Sequence, residues 1–175
     1  MPSDQAAATG GGRPRAYITM LGRTVWALAN AYHAALMERG FLPERIWIFT
    51  EERYRVPLDK AVSAVTLLSE SFDISPAVET CIVEEADFLG AGMKVSAMVR
   101  RLKAEGYEVA LDATPGRKPL VAGALVALAS VPIDHVFYLG ISKLEGASKP
   151  YLMIPFQQQR LHDFLEAARR GDECK

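Results

Sequence analysis

From Ala16 onward, short runs rich in β-branched and aromatic residues alternate with amphipathic stretches of helical period, and this alternation constrains the fold more than any motif. Strands separated by helices return in the same direction, so the pattern predicts a parallel sheet covered on both faces. The predicted strands are AYITMLG (16–22), RIWIFTE (45–51), VETCIVE (78–84), EVALDAT (108–114), DHVFYLGI (134–141) and KPYLMIP (149–155). Helices are predicted over about 24–39, from Pro57 onward, over 87–105, 119–130 and 157–170. Their inward faces are marked by Val25, Leu28, Ala29, Tyr32 and Leu36, then by Leu58, Ala61, Val62, Val65 and Leu68. Val95, Met98, Val99 and Leu102 mark the third, and Leu161, Phe164, Leu165 and Ala168 the last. Gly40 and Gly106 stand where two of the helices should stop.

The fourth helix, PLVAGALVALAS, opens with a proline suited to the first turn and is apolar nearly all round, so both its faces are expected to be covered. Its small residues Ala122, Gly123, Ala124 and Ala127 permit close approach. The short stretch SKLEGAS between the last two predicted strands fits a hairpin, which would end the sheet in an antiparallel pair. The expected fold class is α/β: a Rossmann-like three-layer sandwich, with a mainly parallel six-stranded sheet, an antiparallel C-terminal strand and helices on both faces.

The 175 residues have room for one domain, read as 15–172 behind a flexible leader over 1–14. The leader lacks the apolar core of a signal peptide, and no segment is apolar enough to span a bilayer. Cys81 and Cys174 show no disulfide or metal-ligand spacing, which fits a reducing cytoplasm. With 20 basic and 21 acidic side chains the net charge is -1, so any anion site must be local and duplex nucleic acid is not an expected partner.

In open parallel sheets, ligands bind beyond the carboxyl ends of the strands, where strand order reverses. The loops so placed are TMLGRTV, TEERYRV, EEADFLGAG and ATPGRKPL. The first and last share a chemical plan: a glycine for close backbone approach, a cation at once, a hydroxyl nearby, and a helix N-terminus. The parts are Gly22, Arg23 and Thr24 in one, and Thr114, Gly116, Arg117 and Lys118 in the other. Such parts suit a phosphodiester, with arginine as a planar fork and lysine as a point charge. Thr24 also stands where a helix cap would.

Other chemistries fare worse. Pro119 stands where a Walker A sequence needs Ser or Thr, and GAGMKV (90–95) reads as helix packing rather than a dinucleotide fingerprint. His33, His135 and His162 lack metal-ligand spacing, and no nucleophile elbow occurs. Glu51, Glu52, Glu84, Glu85, Asp87 and Asp112 lie near strand ends but read as ordinary charged surface; no metal or cofactor is expected. Among the aromatics, Trp26, Tyr32, Trp47 and Phe49 fall at core-like positions, whereas Tyr54 between Arg53 and Arg55 offers a stacking platform.

A first strand running into MLGRT, a fourth running into DATPGRKPL, and the strand–helix order around them resemble the CRISPR-associated Rossmann fold (CARF) domain, over about residues 15–170. The resemblance implies a homodimer that binds a cyclic oligoadenylate, with cyclic tetra-adenylate favoured over cyclic hexa-adenylate. Since the sequence shows no fused effector domain and lacks the arginine–histidine motif of the commonly fused ribonuclease, the resemblance points to a standalone ring nuclease. In similar ring nucleases a ribose 2′-hydroxyl attacks the adjacent phosphate without a metal. Carried over, Lys118 and Arg117 would stabilise the phosphorane, with Thr24 and the backbone of Gly22 and Gly116 holding the ribose phosphate. Leu21, Arg23, Thr114, Pro115, Glu52 and Arg53 are further expected ligand contacts. Here Pro115-Gly116-Arg117 stands where many relatives have Gly-Gly-Thr. A non-catalytic sensor acting through a separate partner is the alternative, and a nucleotide-binding regulator unrelated to CRISPR a third reading.

Overall fold

Eleven elements follow one another along the computed structural model, which describes residues 12–171: β1 (Arg15–Leu21), α1 (Val25–Arg39), β2 (Arg45–Glu51), α2 (Leu58–Glu70), β3 (Ala77–Val83), α3 (Phe88–Ala104), β4 (Glu108–Asp112), α4 (Lys118–Leu128), β5 (His135–Ile141), β6 (Gln159–Asp163) and α5 (Phe164–Arg169). Residues 1–11 of the expected leader, Cys174 and the expected domain end at 172 lie outside the described residues. The strands lie in the order β3-β2-β1-β4-β5-β6. The first five are parallel and β6 runs antiparallel to β5. The chain builds outward from β1 to β3, then crosses back to β4, so strand order reverses between β1 and β4.

Both faces of the sheet are covered, which is why β1 reads as an almost unbroken apolar run. On one face Ile18, Met20, Trp47, Phe49, Val109 and Leu111 meet Val95, Val99 and Leu102 of α3 and Leu120, Ala124 and Leu128 of α4. On the other, Tyr17, Leu21, Ile46, Ile48 and Phe137 meet Leu28, Tyr32 and Leu36 of α1 and Ala61 and Val65 of α2. α3 and α4 touch backbone to backbone: a Cβ on Gly92 would stand 2.4 Å from the Gly123 carbonyl oxygen. The GAG stretch therefore serves helix packing.

At the amino-terminal edge of the sheet, His135 sits between two carboxylates. Its Nδ1 is 2.7 Å from Asp163 Oδ2 and its Nε2 2.9 Å from Glu108 Oε1. Arg15 Nε donates to the other Glu108 oxygen at 2.8 Å. The hydrogen bond to Asp163, then that to Glu108, raise the His135 pKa against its partial burial. Burial pushes both carboxyls up, but the bonds from His135 and, at Glu108, Arg15 outweigh it and hold them low.

Several expectations need correction. KPYLMIP is not a strand, because Pro150 and Pro155 have no N–H for a ladder; the segment instead holds a 3-10 turn, Tyr151–Met153, and a second one, Phe156–Gln158, follows it. The sixth strand is QRLHD, in which Gln159, Leu161 and Asp163 alternate inward, so the antiparallel pair exists but its connection is far longer than a hairpin. Asp163 then caps a short α5 by accepting the Leu165 N–H, and Phe164 and Ala168 are exposed. Finally, the outer side of α4 is open, with Val126 73% exposed, and Trp26 is 41% exposed rather than core.

Candidate functional site

The two glycine–cation turns leave neighbouring strands at the point of reversal, and they meet. Gly22, Arg23, Thr24, Thr114, Gly116 and Lys118 line one cleft of about 470 Å³, with Pro115 and Arg117 also in its wall. A Cβ on Gly22 would lie 3.3 Å from the Gly116 Cα, so the two turns are in backbone contact. Gly116 has φ +91, which favours glycine, and a Cβ there would stand 2.8 Å from that of Met20.

Beneath the turns lies a buried polar knot. Asp112, the last residue of β4, is wholly buried; its Oδ1 accepts the Thr114 N–H and its Oδ2 the Thr19 hydroxyl, each at 2.9 Å. Burial raises its pKa to about 6, although the bonds from Thr114 and Thr19 pull it down. The buried Tyr17 hydroxyl lies near the same carboxyl, and burial, then Asp112, push its pKa up. The Thr114 hydroxyl oxygen accepts the Leu139 N–H at 2.8 Å, tying the turn to β5. Thr24 caps α1, its oxygen accepting the Trp26 N–H at 3.2 Å while its own proton remains available.

The three cations of the cleft are not equivalent. Among the described residues neither Arg23 nor Lys118 takes part in an ion pair, and both are exposed. Arg117 Nη1 donates to Glu51 at 3.1 Å, and its guanidinium carbon lies 6.0 Å from the Tyr54 ring centroid. Glu51 ends β2, and β1 lies between β2 and β4 in the sheet, so Arg117 spans the carboxyl end of β1.

Some expected contacts fall elsewhere. Leu21 is 1% exposed with its side chain in the core under α1, so only its backbone is near the turn. Glu52 and Arg53 occupy a 3-10 turn outside the cleft wall, paired with Arg55 at 3.4 Å and Glu85 at 2.7 Å respectively. Among the described residues no group of three His, Cys, Asp or Glu stands close enough to hold a metal ion. No helix among them is long and apolar enough to cross a membrane. Sequence reasoning missed the roles of Glu51, Thr19 and Asp112; the DAT run after an apolar strand was the one local signal for Asp112.

No family model matches the chain, and no curated protein matches it in sequence. Its structure is similar to that of a type III CRISPR defence DNA nuclease activated by cyclic oligoadenylate, at 14% identity and TM-score 0.57, over 79% of this chain and 21% of that one. It is similar to Csm6 of Enterococcus italicus bound to cyclic hexa-2′-fluoro-hexa-dAMP, at 15% identity and TM-score 0.56, over 90% of this chain and 44% of that one. A third likeness is to protein VC1899 of Vibrio cholerae, at 13% identity and TM-score 0.55, over 71% and 30% of the two chains. At these identities the likeness is one of fold, and the chain spans less than half the length of each of these proteins.

Proposed function

We propose that the chain is a CARF-like domain that binds a cyclic oligoadenylate in the cleft between β1 and β4 and cleaves it, cyclic tetra-adenylate being the favoured ring. The observation that carries this reading is the backbone contact of Gly22 with Gly116, which joins two cationic turns into one cleft in which, among the described residues, Arg23 and Lys118 enter no ion pair. The fold is shared with a nuclease that cyclic oligoadenylate activates and with a protein solved holding a cyclic hexanucleotide analogue, which supports this ligand class.

The chemistry asks little of the protein beyond geometry and charge, because the nucleophile is the substrate's own hydroxyl. The ribose 2′-hydroxyl gives up its proton to water as its oxygen bonds to phosphorus, the P–O bond to the 5′-oxygen breaks, and a 2′,3′-cyclic phosphate remains as the 5′-oxygen takes up a proton from water. Lys118 and Arg117 stabilise the charge gathering on the phosphorane. The Thr24 hydroxyl and the N–H groups of Gly22 and Gly116 hold the phosphate in line, and Arg23 anchors its neighbour. A ring of even symmetry fits a two-fold pair of clefts. The outer side of α3 and α4, with Leu89, Met93 and Val126 at 70, 63 and 73% exposure, is the proposed homodimer face. α4 starts at Lys118, so an axis along that face brings two clefts together.

The test is incubation with cyclic tetra-adenylate in excess EDTA, followed by chromatography. Linear di-adenylate ending in a 2′,3′-cyclic phosphate is the expected product. Tight retention of an intact ring would make the chain a sensor, and failure to bind either the tetra- or the hexa-adenylate ring would reject the reading. Lys118→Ala is expected to slow turnover about 100-fold or more while weakening binding much less.

A further inference from the structure

We infer that Glu51 is a positioning residue: it pins Arg117 across the end of β1, so that Arg117 serves the cleft as a fixed, charge-compensated donor while Arg23 and Lys118 supply the net charge. The inference rests on the reading of the cleft as a phosphodiester site. The Glu51 side chain is 2% exposed and that of Arg117 32%. Among the described residues Arg117 is the one donor to the Glu51 carboxylate, through Nη1 at 3.1 and 3.4 Å to its two oxygens.

If a ligand drew Arg117 away, it would leave a buried carboxylate without a countercharge, a far worse state than an exposed one. Arg117 therefore stays. A guanidinium carries five N–H donors in a rigid plane, and Glu51 takes only those on Nη1, which leaves Nε and Nη2 for a ligand oxygen. Arg117 is also the residue that caps α4, with extended backbone at φ -79 and ψ 142, and Tyr54 lies within cation–π range of its head. Backbone, ring and carboxylate together hold the fork before any ligand arrives, which is the condition for in-line chemistry at a fixed phosphorus.

The consequence is electrostatic and countable. Wild-type protein, Glu51→Gln and the double variant Glu51→Gln/Arg117→Gln are titrated calorimetrically with cyclic tetra-adenylate, and with inorganic pyrophosphate as a base-free anion, over a range of KCl. Glu51→Gln adds one uncompensated charge to the cleft and is expected to steepen the plot of log affinity against log salt, by less than the ~0.7 per charge of a long single strand because the ring and pyrophosphate are small anions. It should also slow ring cleavage by tenfold to about 100-fold, because the fork is loosened. The double variant restores the net charge, so its slope should match the wild type while its affinity falls about tenfold for want of the fork's hydrogen bonds. A Glu51→Gln slope equal to the wild type, or a double variant that binds like the wild type, overturns the inference. Should Glu51→Gln not fold, Glu51→Asp decides, since it keeps the charge but shortens the reach to Arg117: a wild-type salt slope with slowed ring cleavage is expected, and wild-type cleavage overturns the inference. Binding of pyrophosphate without the ring rejects the proposed ligand while the slopes still judge the pair; binding of neither rejects both.

Discussion

Alanine at position 116 puts one methyl group into the tightest point of the cleft. Gly116 stands at φ +91, where a side chain costs about 1–2 kcal/mol in backbone strain. The new Cβ would also lie 2.8 Å from the Cβ of Met20, which is fully buried on β1 and cannot retreat without moving its strand. Overfilling of this kind costs about 1–3 kcal/mol. The two together give about 3 kcal/mol, or roughly 6–12 °C in Tm for a domain of this size. Circular dichroism melts of Gly116→Ala against wild type measure it, with Gly22→Ala as the internal comparison. The Cβ of Gly22→Ala would meet Gly116 backbone at 3.3 Å without a positive φ, so its loss should be smaller, about 1 kcal/mol. A Gly116→Ala melt within about 2 °C of wild type would refute the claim that position 116 is held at a positive φ tight against Met20.

The His135 cluster sets a pH window for stability. Because the folded pKa of His135 is raised, its contribution is complete below about 6.5 and is lost as pH climbs through the folded value. The lowered Glu108 and Asp163 contribute above about 4.5 and fade as pH drops. His135→Gln should therefore flatten the decline in Tm on the alkaline side, and parallel wild-type and variant curves there would sink the assignment. Asp112 acts with the sign opposite to that of Glu108 and Asp163 and the same as that of His135: its folded pKa of about 6 exceeds the unfolded value, so stability falls as pH rises through that span. Asp112→Asn should gain on wild type by up to about 3 kcal/mol between acid and neutral melts, and no relative gain would contradict the burial argument. Val126→Asp should sediment as a monomer at concentrations where the wild type is a dimer; a monomeric wild type removes the proposed face.

What the sequence displays and what it hides follow from range. The parallel order was readable because buried strands and amphipathic helices advertise their period locally, and Gly22 and Gly116 sit at strand ends that a reversal of order brings together. YLMI mimicked a strand because its apolar run outweighed the prolines flanking it. QRLHD reads as helix because Leu161, Phe164, Leu165 and Ala168 fall at helical spacing, while its true signal, alternation, spans only five residues. The Glu51–Arg117 pair joins positions 66 residues apart and leaves no local trace. Nor does composition reveal whether an apolar helix face such as that of α4 is covered by its own chain.

The contact between positions 22 and 116 also bears on how such a sequence can drift. A descendant that acquires a side chain at either place closes the gap through which the turns touch, and one that widens the gap loses the shared phosphate seat. Position 116, held by its positive φ and by Met20, is thus expected to stay glycine and position 22 to admit only the smallest side chains, whereas the exposed lysine and arginine beside them can be exchanged for each other with far less disturbance to the backbone.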